Sequence, residues 1–247
     1  MDKMVFLAST AGKEIMRAQA INANNLANAS TTGFRQDLAF AESLAVDGPG
    51  YATRVYSQSE GIGSDLSPGA LVTTGRELDV AIRGQGWFAV QANDGSEAYT
   101  RAGDLRLSAA GVLTTGAGLP VIGNSGGPIT LPPFEKLEIG VDGTITVRPL
   151  GQQAAALAVV DRIKLVNPPT ANLRKAEDGL FRLPEGEFAE PDAGVQLVSG
   201  VIESSNVNAV DAMVKMMDLS RKFEMQVKMM EQAKSNDSAS AKLMQMS

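Results

Sequence analysis

The side chains that most often carry chemistry are missing from this sequence. Its 247 residues include no cysteine and no histidine. That removes the thiolate nucleophile, the disulfide, the usual zinc ligands and the commonest general base. What remains is a set of carboxylates and glycine-rich turns. Gly84-Gln85-Gly86-Trp87-Phe88-Ala89 fits G-x-G-x-x-A, the phosphate-cradling turn of dinucleotide folds, but that turn must open a helix whose N-terminus faces the pyrophosphate. Here the glycines lead into WFAVQAND, an alternating strand that ends in a turn, so a tight β connection is expected. Asp79, Asp94, Asp104 and Asp142 are the candidate paired carboxylates. Asp94 and Asp142 stand beside glycine in turn sequences, and nothing in the spacing drives two of the four into one apolar pocket. All four are expected to be solvated turn residues. The strings NAS at 28–30 and NDS at 236–238 match the glycosylation pattern, which requires a secretory route. The first apolar run, Met4 to Ala8, is too short for the roughly 7–15-residue core of a cleaved signal peptide. No catalytic residue, metal site or cofactor is expected, and the chain is not expected to be an enzyme.

Charge and hydropathy narrow the partners. With 28 acidic against 22 basic side chains, the net charge of -6 repels phosphate backbones and anionic lipid. Nucleic acid is therefore not an expected partner. No apolar run approaches the length of about eighteen residues that a spanning helix needs, so no stable membrane insertion is expected.

The elements that must organise the chain lie at its ends and its middle. Residues 2–29 contain no proline and only Gly12 interrupts them. Alternating steps of four and three pass through Met4, Ala8, Ala11, Ile15, Ala18, Asn22, Asn25 and Ala29, a seam of small residues with two asparagines in it. Asn costs a helix interior roughly 0.5–0.7 kcal/mol relative to Ala, so something must compensate. From Asn206 onward there is neither glycine nor proline, and Met213, Met216, Ser220, Phe223, Val227 and Met230 again fall on a seam. Asp211 with Lys215, Asp218 with Lys222 and Glu224 with Lys228 supply a soluble outer face. Between the ends, short alternating runs such as LDVAIR, GWFAVQ, KLEIG and TITVRP recur with turn signals between them. The expected fold class is α+β. A helix over 1–33 and a helix over 201–247 form one discontinuous domain, 34–77 is an extended linker of chain and loop, and 78–200 is a mainly-β sandwich or irregular barrel. Such terminal helices are marginal alone and are expected to gain order from their neighbours.

NANNLANASTTGFR, residues 22–35, and SGVIESSNVNAVDAMVKMMDLSRKFEMQVKM, Ser199 to Met229, resemble the paired terminal signatures of the bacterial flagellar axial proteins, the rod and hook components. LDVAIRGQGWFAV, YTRAGDLRLSAAGVL, GGPITLP and EDGLFRL are similar to the proximal-rod branch of that family. The resemblance implies a structural subunit of the basal-body rod whose two terminal helices pair as a coiled coil around the export channel, with the β domain outside. It implies other copies of the chain and neighbouring rod proteins as partners. It also implies passage through the flagellar type III export apparatus, without a cleaved signal, to the periplasm. The expected assembly interface joins Met4, Ala8, Ala11, Ile15, Ala18, Asn22 and Asn25 to Leu26, Asn28 and Phe34 of the first motif. The second motif contributes Asn206, Val207, Met213, Met216, Phe223, Val227 and Met230.

Overall fold

A computed structural model describes residues 2–45, 55–151, 157–184 and 187–245. The fold is α+β: an N-terminal helix, a strand-rich centre and a C-terminal helix. Helix α1 spans Asp2–Ala27 and helix α2 spans Ala209–Gln245. Asn28 closes the last turn of α1, its backbone N–H and its Nδ2 both donating to the carbonyl of Asn24 at 3.1 and 2.9 Å. Asn208 caps α2, its Oδ1 accepting the Val210 N–H at 3.0 Å and so satisfying a donor the helix start leaves free.

The chain divides into two compact units that interleave along the sequence. The first comprises Met1–Ala29, Asp37–Asp65 and Val207–Ser247. It holds α1, α2 and a hairpin of strands β1 (Asp37–Ala45) and β2 (Val55–Ser64). The hairpin runs antiparallel from Asp37 opposite Ser64 to Ala45 opposite Val55, with Glu60 bulged out where Phe40 faces Gly61 and Ala41 faces Ser59. Residues 34–77, expected to be linker, thus carry two long strands. Their sequences, DLAFAESLA and VYSQSEGIGS, are rich in Ala, Ser, Glu and Gly rather than the β-branched residues that announce a strand.

The second unit comprises Ser30–Gln36 and Leu66–Asn206. Its early strands are β3 (Leu71–Thr73), β4 (Val80–Arg83), β5 (Trp87–Gln91), β6 (Glu97–Thr100), β7 (Arg106–Leu107) and β8 (Leu113–Thr114). Then come β9 (Phe134–Ile139), β10 (Thr144–Pro149), β11 (Ala158–Arg162), β12 (Leu165–Val166), β13 (Arg174–Lys175), β14 (Phe181–Arg182), β15 (Gln196–Ser199) and β16 (Val201–Glu203). The largest sheet is ordered β12-β5-β6-β14-β13, and β11-β10-β9 form a second; β15 pairs β4 and β16 pairs β3. Alternation along β9 and β10 turns Leu137, Ile139, Ile145 and Val147 inward. They join Val80, Phe88, Val90, Leu105 and Leu113 in the main core. Trp87, Tyr99 and Phe181 build a second apolar cluster, with the Trp87 and Phe181 rings 4.6 Å apart.

Two of the four candidate carboxylates are turn residues. Asp94 accepts the Ser96 N–H at 2.9 Å and Asp142 that of Thr144 at 3.1 Å. Of the other two, Asp79 is buried and Asp104 half-buried. Asp79 is 3% exposed and its backbone bridges that of Asp104. It accepts a 2.6 Å hydrogen bond from Thr74 Oγ1. Burial pushes the Asp104 carboxyl above the usual carboxylate range, and the Asp79 charge adds to it. Extended pairing of two sequence-distant segments, invisible in local spacing, brings them under cover. After Gly84 and Gly86 the chain enters β5 rather than a helix, so no phosphate-binding turn forms. Gly86 serves packing: at φ 129° a Cβ there would stand 2.7 Å from Val195 Cγ1.

Candidate assembly site at the terminal motifs

In the first unit the seam of α1 faces α2. Ala8, Gly12, Asn22 and Asn25 are buried, and Ala11, Ile15, Ala18 and Leu26 are half-buried. The side chain of Met4 lies outside the described residues. Gly12 sits opposite the Phe223 ring, Gln19 Nε2 donates to Ser220 Oγ at 3.2 Å, and Asn22 Nδ2 donates to the Ala212 carbonyl at 2.7 Å. Rising numbers on α1 meet falling numbers on α2, so the helices are antiparallel. On α2, Ala212, Leu219 and Ala233 are buried, with Met216, Phe223, Val227 and Met230 half-buried between them. Met213, read from the sequence as a seam position, is 53% exposed, and Ser220 is exposed. At those two positions the buried residue is the preceding one, Ala212 or Leu219. A 2.7 Å bond from Asn22 to the Ala212 carbonyl brings the helices close, which the small Ala212 side chain permits.

The asparagines find their compensation here. Asn25 makes two bonds to one residue, its Nδ2 donating to the Asp37 carbonyl and its Oδ1 accepting the Asp37 N–H, both at 2.8 Å. The amide mimics a ladder partner and fixes where β1 begins. Asn22 is half compensated: its Nδ2 donates to α2, while its buried Oδ1 has no hydrogen-bond partner among the described residues. Each buried amide would otherwise cost about 1–3 kcal/mol per unsatisfied group.

In the second unit the ends of the two motifs meet. Gly33 has φ 68°, and a Cβ there would lie 2.3 Å from the Arg101 carbonyl carbon, so no other residue fits. Its N–H donates to the Glu203 carbonyl at 2.8 Å. Asn206 continues this pairing: its N–H donates to the Phe34 carbonyl at 3.3 Å, its Oδ1 accepts the Gln36 N–H at 2.8 Å, and its Nδ2 reaches the Ser67 carbonyl at 3.1 Å. Lys175 Nζ donates to the Arg35 carbonyl at 2.7 Å while sitting 3.9 Å from the centre of the Phe34 ring.

At the centre is a buried ionic group that sequence reading missed. Glu203, 1% exposed, places Oε1 2.6 Å from Arg35 Nη2 and Oε2 3.1 Å from Arg101 Nη1. Its Oε1 also accepts the Gly69 N–H at 2.9 Å. Arg101 donates further to the Gly84 carbonyl at 2.6 Å, and both guanidiniums lie over the Trp87 ring, at 5.9 Å for Arg35 and 5.5 Å for Arg101. Burial pulls Arg101 below the usual guanidinium value; Glu203 opposes this and Arg35 adds to it. The only sequence signal was a lone acid closing the apolar run LVSGVIE. Glu203 bonds both guanidiniums, so the arrangement can pin sequence-distant segments together.

Comparison with known proteins agrees with the placement of these motifs. The family described as Flagella basal body rod protein matches residues 9–35, that described as Flagellar hook protein FlgE/F/G D1 domain matches 81–147, and that described as Flagellar basal body rod FlgEFG protein C-terminal matches 198–243. The chain is 41% identical to the flagellar basal-body rod protein FlgF of Salmonella typhimurium over 253 aligned positions covering 100% of both proteins. It is 40% identical to that of Escherichia coli over the same coverage. It is also 33% identical to that of Caulobacter vibrioides, over 94% of this chain and 93% of the relative. The chain belongs to the flagellar basal-body rod and hook protein family.

Proposed function

We propose that the chain is a structural subunit of the proximal rod of the flagellar basal body and not an enzyme. In this reading α1 and α2 pair as a coiled coil and present their outer faces to further copies and to neighbouring rod proteins. The observation that carries it is an apolar stripe on the face of α2 that α1 leaves uncovered. Val210, Met213, Val214 and Met217 are all exposed and follow one another at helical spacing. Methionine suits such a face, because an unbranched, polarizable side chain adapts to neighbours of slightly different shape. In this reading the chain reaches the periplasm through the flagellar type III export apparatus; no described helix is long and apolar enough to cross a membrane.

The test is the double variant Met213→Glu with Met217→Glu. It changes only exposed positions, so the purified chain should melt within about 0.5 kcal/mol of wild type. Cells carrying it should lack the chain in purified basal bodies and lose motility. Normal rods and swimming in those cells would reject the reading. A small-molecule-binding β domain would be a reading of another class, and it would use Asp79 or Trp87; both are buried and already bonded or packed internally.

A further inference from the structure

Ser30–Gln36 is the part of the second unit that stands apart from the rest in sequence. Of its seven residues only Gly33 and Arg35 are buried. Neither apolar cluster of that unit contains any of the seven. Phe34, its one large apolar side chain, is half-buried beneath the Lys175 ammonium. The segment is therefore held by polar bonds, and its deepest anchor is the Arg35 pair with Glu203.

That anchor is unbalanced. Two buried guanidiniums share one buried carboxylate, and Arg35 Nε and Nη1 have no hydrogen-bond partner among the described residues. Arg101 is tied independently to the carbonyl of Gly84 and, more weakly, to that of Ile82 at 3.4 Å. Among the described residues the Arg35 side chain has no such bond to a backbone carbonyl. Removing the carboxylate would leave two cations facing each other in a poorly solvated space, and the side chain free to leave is Arg35.

We propose that residues 30–36 form a plug seated by Glu203, able to leave the second unit as one piece while that unit's apolar core stays folded. The plug joins the end of α1 at Ala27 to the start of β1 at Asp37. The inference concerns the isolated chain and stands whether or not the rod reading does.

Native-state hydrogen exchange on the full-length protein tests it without any variant. The amides of Gly33 and Gln36 should exchange through an opening at least about tenfold more frequent than the one releasing Ala89 and Ile122, whose bonds lie within the core sheets. Exchange of all four only through a shared global opening would overturn the proposal. In Glu203→Gln, trypsin cleavage after Arg35 should rise on the order of a hundredfold. Emission from Trp87, the single tryptophan, should shift to the red, while the second unit's melting stays cooperative. Wild-type resistance at Arg35 together with unshifted emission would equally overturn it. If that variant does not fold, the wild-type exchange pattern decides.

Discussion

The two units bury polar groups in opposite ways. In the helical unit the device is neutral: Asn22 and Asn25 bond to backbone groups of Ala212 and Asp37. In the β unit it is charged: Arg35, Arg101 and Glu203 bond to one another beside Trp87. A backbone carbonyl is the same in every residue, so an amide that reads it sets distance and register without demanding a particular side chain. An ion pair demands its partner by name, since loss of one charge strands the other. The helical seam is thus specified by geometry and the motif junction by identity.

Four perturbations sharpen that contrast, taken from the largest expected effect downward. Phe88→Ala, in the fully buried core of the β unit, should cost about 4 kcal/mol in denaturant unfolding. A loss below about 1 kcal/mol would mean the apolar core is not what holds that unit. Asn25→Leu should cost about 2–3 kcal/mol despite its added apolar surface, because both backbone groups of Asp37 lose their partner. Exchange of the Asp37 amide should quicken in the same variant; a more stable variant would show that the amide is dispensable. The third perturbation is alkaline pH. Burial pushes the Tyr99 phenol up to about 12; the Ala189 N–H it accepts opposes this, and Glu97 adds to it. The unfolded chain releases that proton near 10 and the folded chain holds it, so stability is full below pH 10 and falls as pH rises toward 12, by on the order of 2 kcal/mol. Tyr99→Phe should flatten that loss. Smallest is Gly12→Ala, where the new methyl would meet Phe223 at an ordinary 4.0 Å. Gain of helix propensity should raise the melting temperature of the helical unit by the equivalent of about 1 kcal/mol.

Legibility from sequence followed the range of the signal. α1 and α2 were readable because a helix repeats its pattern within a few residues, and the turn aspartates Asp94 and Asp142 because a turn is complete within four. The hairpin β1–β2 was not, since its stability comes from pairing and from Asn25 rather than from strand-forming side chains. At the start of α2 the buried residue is Ala212 and not Met213, because methionine outweighs alanine on any hydrophobicity count, whereas close approach favours the smaller side chain. Asp79 and Asp104, and the group around Glu203, were hidden for a deeper reason. Their partners come from distant parts of the chain, and nothing in Arg35 or Arg101 marks them as bound for one carboxylate.

The interleaving of the two units has a covalent side. The backbone passes between them at residues 29 and 30, 36 and 37, 65 and 66, and 206 and 207. The two units are therefore joined by four covalent crossings of the backbone instead of a single tether. For the same reason no single cut releases either unit whole: trimming the chain at residue 65 to isolate its centre also takes Arg35 from Glu203.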